Sequence, residues 1–443
     1  MLAWTLDRDE IAACAAEELV ALRAAGVHAG DAVGWLGLNS PRPLALLQAC
    51  RDLGARFVPL NTRLATAELA AIARDAGLQH LLHDDAMRSP AQAVVAQVGL
   101  PLPPAPGHED GDVLLVYTSG TTGAPRGAVH TRDGMAANIA AAIDAQQFDA
   151  GSRALAVLPL FHVGGLAIQV LPTLAAGGQV RLHERFDPGA WLREVADWRP
   201  TTSLLVPAVM RALVEHPDWA RSDLSSLAFV NSGSQIVPMD LIEAFHARGV
   251  PVAQVYGATE TGPVSIVLRP VEAMSHPGRA GWPARGVQVR LADDGEILLQ
   301  APNLLRRYHG DGEPAFDAEG WFHTGDLARR EADGCFEVVG RARELIISGG
   351  ENIHPAEIEN LLAGHPAIAE AAVVGVADAR WGEVPVLVLV PRTGCRVDLA
   401  LLQPLFDARL ARYKHPRRVV VVDGLPKTAL GKLKRAELAR TLS

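Results

Sequence analysis

Apolar residues recur in two rhythms along the first part of the chain, and the alternation between them predicts the architecture. Ile11, Ala15, Leu19 and Leu22 fall three or four positions apart, on one face of a helix. The run Ala32-Val-Gly-Trp-Leu-Gly-Leu38 then reads as a strand. Ser40 before Pro41 opens a second helical stretch to about Leu53, and Arg56-Phe-Val-Pro-Leu60 reads as another buried strand. This βαβ rhythm predicts an α/β fold of mostly parallel sheets sandwiched by helices, with ligands beyond the carboxyl ends of the strands. The Pro-rich segment Leu100-Pro-Leu-Pro-Pro-Ala-Pro106 reads as an extended surface connection. From Val287 the pattern changes to short strands around an Asp293-Asp-Gly295 turn, which predicts an antiparallel or barrel-like portion. The C-terminal part mixes strands at 371–375, 386–390 and 419–422 with a helix from about Leu399 to Arg412, as in a small α+β domain.

The chain has 443 residues, enough for about three compact units, and its 49% hydrophobic residues suffice for large cores. Leu166 to Ala176 is interrupted by Gln169 and Pro172, so no apolar run reaches membrane-spanning length. The N-terminus lacks a basic region followed by an apolar one, and the expectation is a soluble, cytoplasmic protein. Cys14, Cys50, Cys335 and Cys395 are scattered with no Cys-x-x-Cys pair, which points to neither a zinc site nor a disulfide framework. A net charge of −9 argues against a nucleic-acid partner; cations that matter should sit locally, around an anion site.

One such site is legible. Directly after the apolar Val113-Leu-Leu-Val116 comes Tyr117-Thr-Ser-Gly-Thr-Thr-Gly-Ala-Pro-Arg-Gly127. Gly120, Gly123 and Gly127 let backbone N–H groups turn toward an anion without a Cβ in the way. Ser119, Thr121 and Thr122 add hydroxyl donors and Arg126 adds fixed positive charge. Such a loop suits a polyphosphate; the plainer reading is a polar Gly-rich turn without a ligand. It is not the ordinary P-loop, because Gly-x-x-x-x-Gly-Lys-Ser/Thr cannot be laid over these glycines.

Four later segments complete a pattern: Tyr256-Gly-Ala-Thr-Glu260-Thr, Gly320-Trp-Phe-His-Thr-Gly-Asp326, Gly340-Arg341 followed by Ser348-Gly-Gly-Glu-Asn-Ile-His-Pro355, and Leu425-Pro-Lys-Thr-Ala-Leu-Gly-Lys432. In this order the five resemble the AMP-forming adenylating enzymes: acyl-CoA synthetases, luciferases and the adenylation domains of peptide synthetases. That resemblance implies a large N-terminal domain over 1–342 that binds AMP and the acyl group, and a small, mobile C-terminal lid over 343–443. It implies ATP, Mg²⁺ and coenzyme A as cofactors and co-substrate, and a carboxylate that attacks the α-phosphorus before a thiol takes the acyl group.

Residue by residue, the resemblance makes Lys432 the central catalytic cation, although charge pattern alone would leave it a solvated lysine beside Lys427, Lys434 and Arg435. Glu260 matches the ligand of a Mg²⁺ that bridges the phosphates; hard oxygen suits that ion. His162, in Pro159-Leu-Phe-His-Val-Gly-Gly165, matches a gate beside the acyl pocket. Nucleotide contacts are implied for Thr118 to Gly123 and Arg126, for Gly233-Ser234-Gln235, and for Tyr256-Gly257-Ala258-Thr259, with Tyr256 stacking on adenine. Asp326 and Arg341 are implied at the ribose diol, Arg343 at the hinge, and Ser348, Gly349 and Gly350 at the CoA tunnel. The family usually has Lys where this chain has Arg126, and Asp or Lys where it has Arg343.

Amino-acid-activating members carry an Asp where this chain has Phe161-His162, and the sequence ends soon after Lys432, without a carrier domain. A freestanding CoA ligase is therefore expected. Leu158-Pro-Leu-Phe-His162, Ser348 to Ile358 and Trp381-Gly-Glu-Val-Pro385 look most like the o-succinylbenzoate and chlorobenzoate ligase group, which implies an aromatic or compact acid. The alternatives are a medium-chain fatty acyl-CoA ligase, a stand-alone adenylating enzyme, or an ATP-binding non-catalytic homologue. The expected partners are a small carboxylic acid, ATP and CoA, with no nucleic acid or membrane; a homodimer is compatible with all of these.

Overall fold

The structure is a computed structural model that describes residues 2–105, 107–119, 125–310, 314–341, 344–348, 351–378, 381–410, 412–428 and 432–442. The chain forms two compact units. The first comprises Met1–Gln235, Phe245–Val289 and Leu299–Phe322; the second comprises Ile236–Ala244, Arg290–Leu298 and His323–Ser443.

Two mixed sheets build the first unit. One runs in the order Arg307–Tyr308, Pro125–Thr131, Asp112–Ser119, Arg56–Pro59, Ala32–Leu36, His80–His83. Its last four strands are mutually parallel. Ala32–Leu36 is buried at every position, as expected of a parallel strand covered on both faces. The other sheet runs Ala3–Leu6, Gln179–His183, Arg153–Ala156, Thr202–Leu205, Phe229–Gly233, Val252–Tyr256, Ile266–Leu268, Trp282–Pro283, and is parallel from its second to its sixth strand.

Local chemistry sets the helix limits between these strands. Asp7 and Glu10 form a capping box that starts helix Arg8–Ala24, and Ile11, Ala15 and Leu22 form its buried face. Helix Pro41–Leu53 begins where predicted, but Ser40 makes no side-chain cap bond; Pro41 with its preset φ supplies the start and Gly54, at φ 71°, the end. A core of Trp35, Leu44, Phe57, Leu114, Leu160, Leu166 and Leu182 joins helices to strands.

In the second unit, the sheet order is Glu351–Ile353, Ile346–Ser348, Gly382–Pro391, Ile368–Asp378, with Arg418–Val421 parallel to Gly382–Pro391. Alternation decides its two faces. Val373, Leu387 and Leu389 enter one cluster with Ile358, Leu402 and Phe406, while Ala372, Val374, Val386 and Val388 enter another with Leu438. A further sheet begins with the hairpin around Asp293-Asp-Gly295 and continues through Phe322–Arg330 to Phe336–Arg341. Among the described residues, no helix is long and apolar enough to cross a membrane.

Candidate active site

Strand Asp112–Ser119 extends three residues past Val116 and returns antiparallel as Pro125–Thr131, with Thr118 opposite Arg126. The strand after Val116 therefore leads into an antiparallel partner rather than into a helix, and Thr118 and Arg126 lie at the carboxyl end of a strand that is parallel to its neighbour Arg56–Pro59. Ser119 ends the first strand; Gly120, Thr121, Thr122 and Gly123 lie outside the described residues, as do Arg343, Gly349 and Gly350.

A second wall comes from the other sheet. Phe229–Gly233 and Val252–Tyr256 are parallel, with Gly233 opposite Val255; a Cβ on Gly233 would stand 2.3 Å from the Val255 carbonyl oxygen. Glycine is thus required for these backbones to approach. Ser234 follows at φ 71°, a left-handed conformation that non-glycine residues seldom adopt. After Tyr256 the chain turns so tightly that a Cβ on Gly257 would lie 1.8 Å from the Pro263 oxygen. The Thr261 hydroxyl accepts from the Ala258 N–H at 2.8 Å, and Asn303 Nδ2 donates to the carbonyls of Thr261 at 2.8 Å and Val264 at 3.1 Å. Leu305 N donates to the Glu260 carbonyl at 2.7 Å. The turn carrying Glu260 is therefore clamped by residues 303–305, which sequence reasoning did not single out.

The two walls meet at Glu260. Its Oε1 receives Tyr308 OH at 3.3 Å and Thr118 Oγ1 at 3.5 Å, and the Arg126 guanidinium lies over the Tyr308 ring, 3.6 Å from its centroid. Burial first, and the Glu260 charge second, push the Tyr308 phenol up to about 12, so it stays a donor across the working pH range. Tyr308 was missed in the sequence because an isolated tyrosine after Leu304-Leu-Arg-Arg carries no motif; only pairing brings it beside the loop. Arg307–Tyr308 is a short strand on Pro125–Thr131, with Tyr308 opposite Ala128. It is anchored by Arg306 Nη1 at 3.0 Å and Arg307 Nη2 at 2.7 Å from the two oxygens of Asp112, whose side chain is wholly buried.

His130, on the return strand, is buried against the same turn. Burial pushes its imidazole down to about 4, and the Thr259 backbone opposes this more weakly. An unfolded histidine takes up its proton near pH 6.5, so the folded state binds fewer protons between that value and about 4. Stability contributed by this group is present above pH 6.5 and lost as pH falls toward 4, by an amount on the order of 3 kcal/mol. His130→Gln is expected to flatten the fall in urea midpoint between pH 7.5 and pH 5; equal slopes for both proteins would dismiss His130 as its source.

His162 is half-buried and packs edge-on against Phe161, with ring centroids 4.5 Å apart. Just beyond, Gly165–Val170 winds as a π-helix. Such wide turns loosen the usual ladder, and buried amides serve its carbonyls: Asn138 Nδ2 reaches Ala167 O and Gln146 Nε2 reaches Ile168 O, both at 2.8 Å. Neither amide was anticipated from the sequence, since each sits among alanines in helix Arg132–Gln146 without a local signal.

In the second unit, Asp326 and Arg341 are opposite one another on antiparallel strands, with Arg341 Nε 3.0 Å from Asp326 Oδ1. This brings an acceptor and a donor together, the combination a diol requires. Thr324 Oγ1 accepts from Asp326 N at 3.1 Å, and Gly325 takes the left-handed φ of 69° that the Thr-Gly-Asp turn needs. The backbone at Lys432 is tied to Thr428 by Thr428 N to Lys432 O at 2.7 Å and Lys432 N to Thr428 Oγ1 at 3.2 Å. Ser348 ends strand Ile346–Ser348 and is buried.

The chain matches the family model for AMP-binding enzymes over residues 15–309 and that for the AMP-binding enzyme C-terminal domain over residues 357–432. It belongs to the AMP-binding enzyme family. It is 42% identical to an indoleacetate–CoA ligase of Aromatoleum aromaticum, over 96% of this chain and 90% of that protein. It is 41% identical to a feruloyl-CoA synthase of an Amycolatopsis species, over 95% and 90%. The o-succinylbenzoate CoA synthetase MenE of Bacillus subtilis, solved with the acyl-adenylate OSB-AMP, superposes with a TM-score of 0.86 at 32% identity, covering 97% of this chain and 92% of that one.

Proposed function

We propose that this chain is an ATP-dependent acid–CoA ligase that activates an aromatic or compact carboxylic acid through an acyl-adenylate. The observation that carries the reading is the meeting of Thr118, Arg126, Glu260 and Tyr308 at the end of one strand pair. Relatives at 41–42% identity named for indoleacetate and ferulate support the aromatic acid.

A carboxylate and ATP repel each other, so neutralising charge is the main task. In the first step a carboxylate oxygen bonds to the α-phosphorus, the bond to the β-phosphate oxygen breaks, and pyrophosphate leaves with the electron pair. Arg126 and the hydroxyl of Thr118 receive the phosphates, and Lys432 stabilises the charge that builds up at the α-phosphate. Glu260 fits as a Mg²⁺ ligand, because that ion takes one or two protein carboxylates together with phosphate oxygens and water. Bound there, the ion would supply further positive charge to the polyphosphate. Tyr256 lies against adenine, beside the backbone of Gly233-Ser234-Gln235 and Gly257-Ala258-Thr259, while Asp326 accepts from the ribose hydroxyls and Arg341 donates to them. In the second step the CoA sulfur attacks the acyl carbon, AMP leaves, and the thiol proton passes to solvent. Ser348, Gly349 and Gly350 are assigned to the CoA path, and Arg343 to a hinge between residues 1–342 and 343–443.

A panel of acids with ATP, Mg²⁺ and CoA, scored for AMP and thioester, tests this. Indoleacetate, ferulate or o-succinylbenzoate is expected to exceed dodecanoate in kcat/KM. A roomy aliphatic pocket would instead gain about fourfold per added methylene, from roughly 0.8 kcal/mol each. A strong dodecanoate preference would move the chain to the fatty acyl-CoA ligases, and no acid-dependent AMP at all would reject ligase activity. His162→Ala is expected to shift the optimum toward bulkier acids while the KM for ATP stays nearly constant.

A further inference from the structure

We propose that Tyr308 is the positioning residue of the phosphate site: its ring is a shelf for the Arg126 guanidinium, and its hydroxyl tethers one oxygen of Glu260. This rests on the ligase reading and assigns a role that the reading does not contain.

The Arg126 carbon at the centre of its fork lies over the ring face, 3.6 Å from its centroid. A planar guanidinium can lie flat on an aromatic face where an ammonium presents only a point charge, so the shelf suits Arg at a position where the family usually has Lys. A long cationic side chain otherwise loses rotamer freedom when it grips an anion; one already laid on a ring has less to lose.

The hydroxyl faces the carboxylate. Tyr308 OH falls on Oε1 of Glu260 at 3.3 Å, and Thr118 Oγ1 lies 3.5 Å from the same oxygen and 3.4 Å from the Arg126 carbonyl, so among the described residues Oε2 would be the oxygen left for a hard cation. Both distances to Oε1 exceed a mature O–H···O bond and leave room to tighten once a cation arrives. The shelf itself is fixed: Arg306 N donates to Val129 O at 2.8 Å and His309 N to Gly127 O at 2.7 Å, which bracket Tyr308 on the strand that carries Arg126. One side chain thereby spaces the cation that grips phosphate and the carboxylate that takes a divalent ion.

Calorimetric binding of ATP to the 443-residue chain, across a Mg²⁺ titration, separates the two roles without relying on turnover. Tyr308→Phe keeps the ring and removes the tether; it is expected to raise the Mg²⁺ concentration at half-maximal ATP binding by about tenfold, the worth of one hydrogen bond to a charged group. Tyr308→Leu removes both, and should weaken ATP binding by about a further fivefold even at saturating Mg²⁺. Arg126→Lys should reproduce that second loss, and in pyrophosphate exchange both should raise the KM for ATP more than they lower kcat. An unshifted Mg²⁺ midpoint in Tyr308→Phe overturns the tether, and equal ATP affinity of the Phe and Leu variants at saturating Mg²⁺ overturns the shelf. An unmutated chain that binds no Mg²⁺–ATP overturns the ligase reading instead.

Discussion

Lys432→Ala is expected to lower acid-dependent ATP–pyrophosphate exchange by about a thousandfold, while preformed acyl-adenylate and CoA are still converted to thioester. The reason is where charge develops. Removing a single preorganised group that stabilises transition-state charge commonly costs two to three orders of magnitude, roughly 2.7–4 kcal/mol. The second half-reaction has already expelled pyrophosphate, so it makes no comparable demand on that ammonium. The Thr428 backbone and hydroxyl, which hold both the N–H and the C=O of residue 432, are unchanged by truncating its side chain. Loss of both half-reactions to the same degree would mean that Lys432 serves the fold of the second unit or both steps, and its assignment to adenylation would be withdrawn.

Asp112→Ala should destabilise the first unit by about 3 kcal/mol or more, read as a lower urea midpoint with an unchanged slope. Its carboxylate is wholly buried and receives Arg306 at 3.0 Å, Arg307 at 2.7 Å and the Glu109 N–H at 3.1 Å. Deleting the buried carboxylate strands the Glu109 N–H and two arginines that are only 32% and 25% exposed, which costs more than losing an exposed pair would. Glu109 also reaches both arginines, at 3.3 and 3.2 Å, but its side chain is 57% exposed, so solvent screening makes it a poor substitute. Asp112→Asn should fall between Ala and the unmutated chain, since it keeps an acceptor without the charge. A loss below about 1 kcal/mol for the Ala variant would show that Glu109 alone holds the pair. The ligase assay gives a second readout, because the strand held by Asp112 is the one that carries Tyr308.

Much of the architecture was legible because periodicity is a one-dimensional record of burial. The spacing of Ile11, Ala15, Leu19 and Leu22 predicts a helix face, of which Ile11, Ala15 and Leu22 are buried and Leu19 partly so; 32–38 reads as a strand, of which 32–36 forms one, buried between parallel neighbours, while 37–38 lie outside it. The glycines, hydroxyls and cation in the short run from Tyr117 to Gly127 suggest an anion loop from the sequence alone. Its topology is not legible there. Nothing in Tyr117 to Gly127 distinguishes a turn into a helix from a turn into an antiparallel strand, and only the pairing of Thr118 with Arg126 decides it.

The same division holds for the site. By itself the sequence determined the family and the α/β class, and its contiguous motifs supplied the proposed site residues: Thr118, Arg126, Glu260, Asp326, Arg341 and Lys432. These are visible because each lies within a few residues of glycines or hydroxyls that its local turn requires. Only the tertiary structure decided that Tyr308 stands between Arg126 and Glu260, that Asn303 clamps the Glu260 turn, and that Asp112 gathers two arginines. Asp112 and Arg306 are 194 residues apart in the chain, and Asn138 and Val264 are 126 apart. Partners at that separation leave no periodic trace in either segment. Their attraction is realised only after hydrophobic burial has brought the strands into register, where an unpaired buried charge or amide would be costly enough to select its partner.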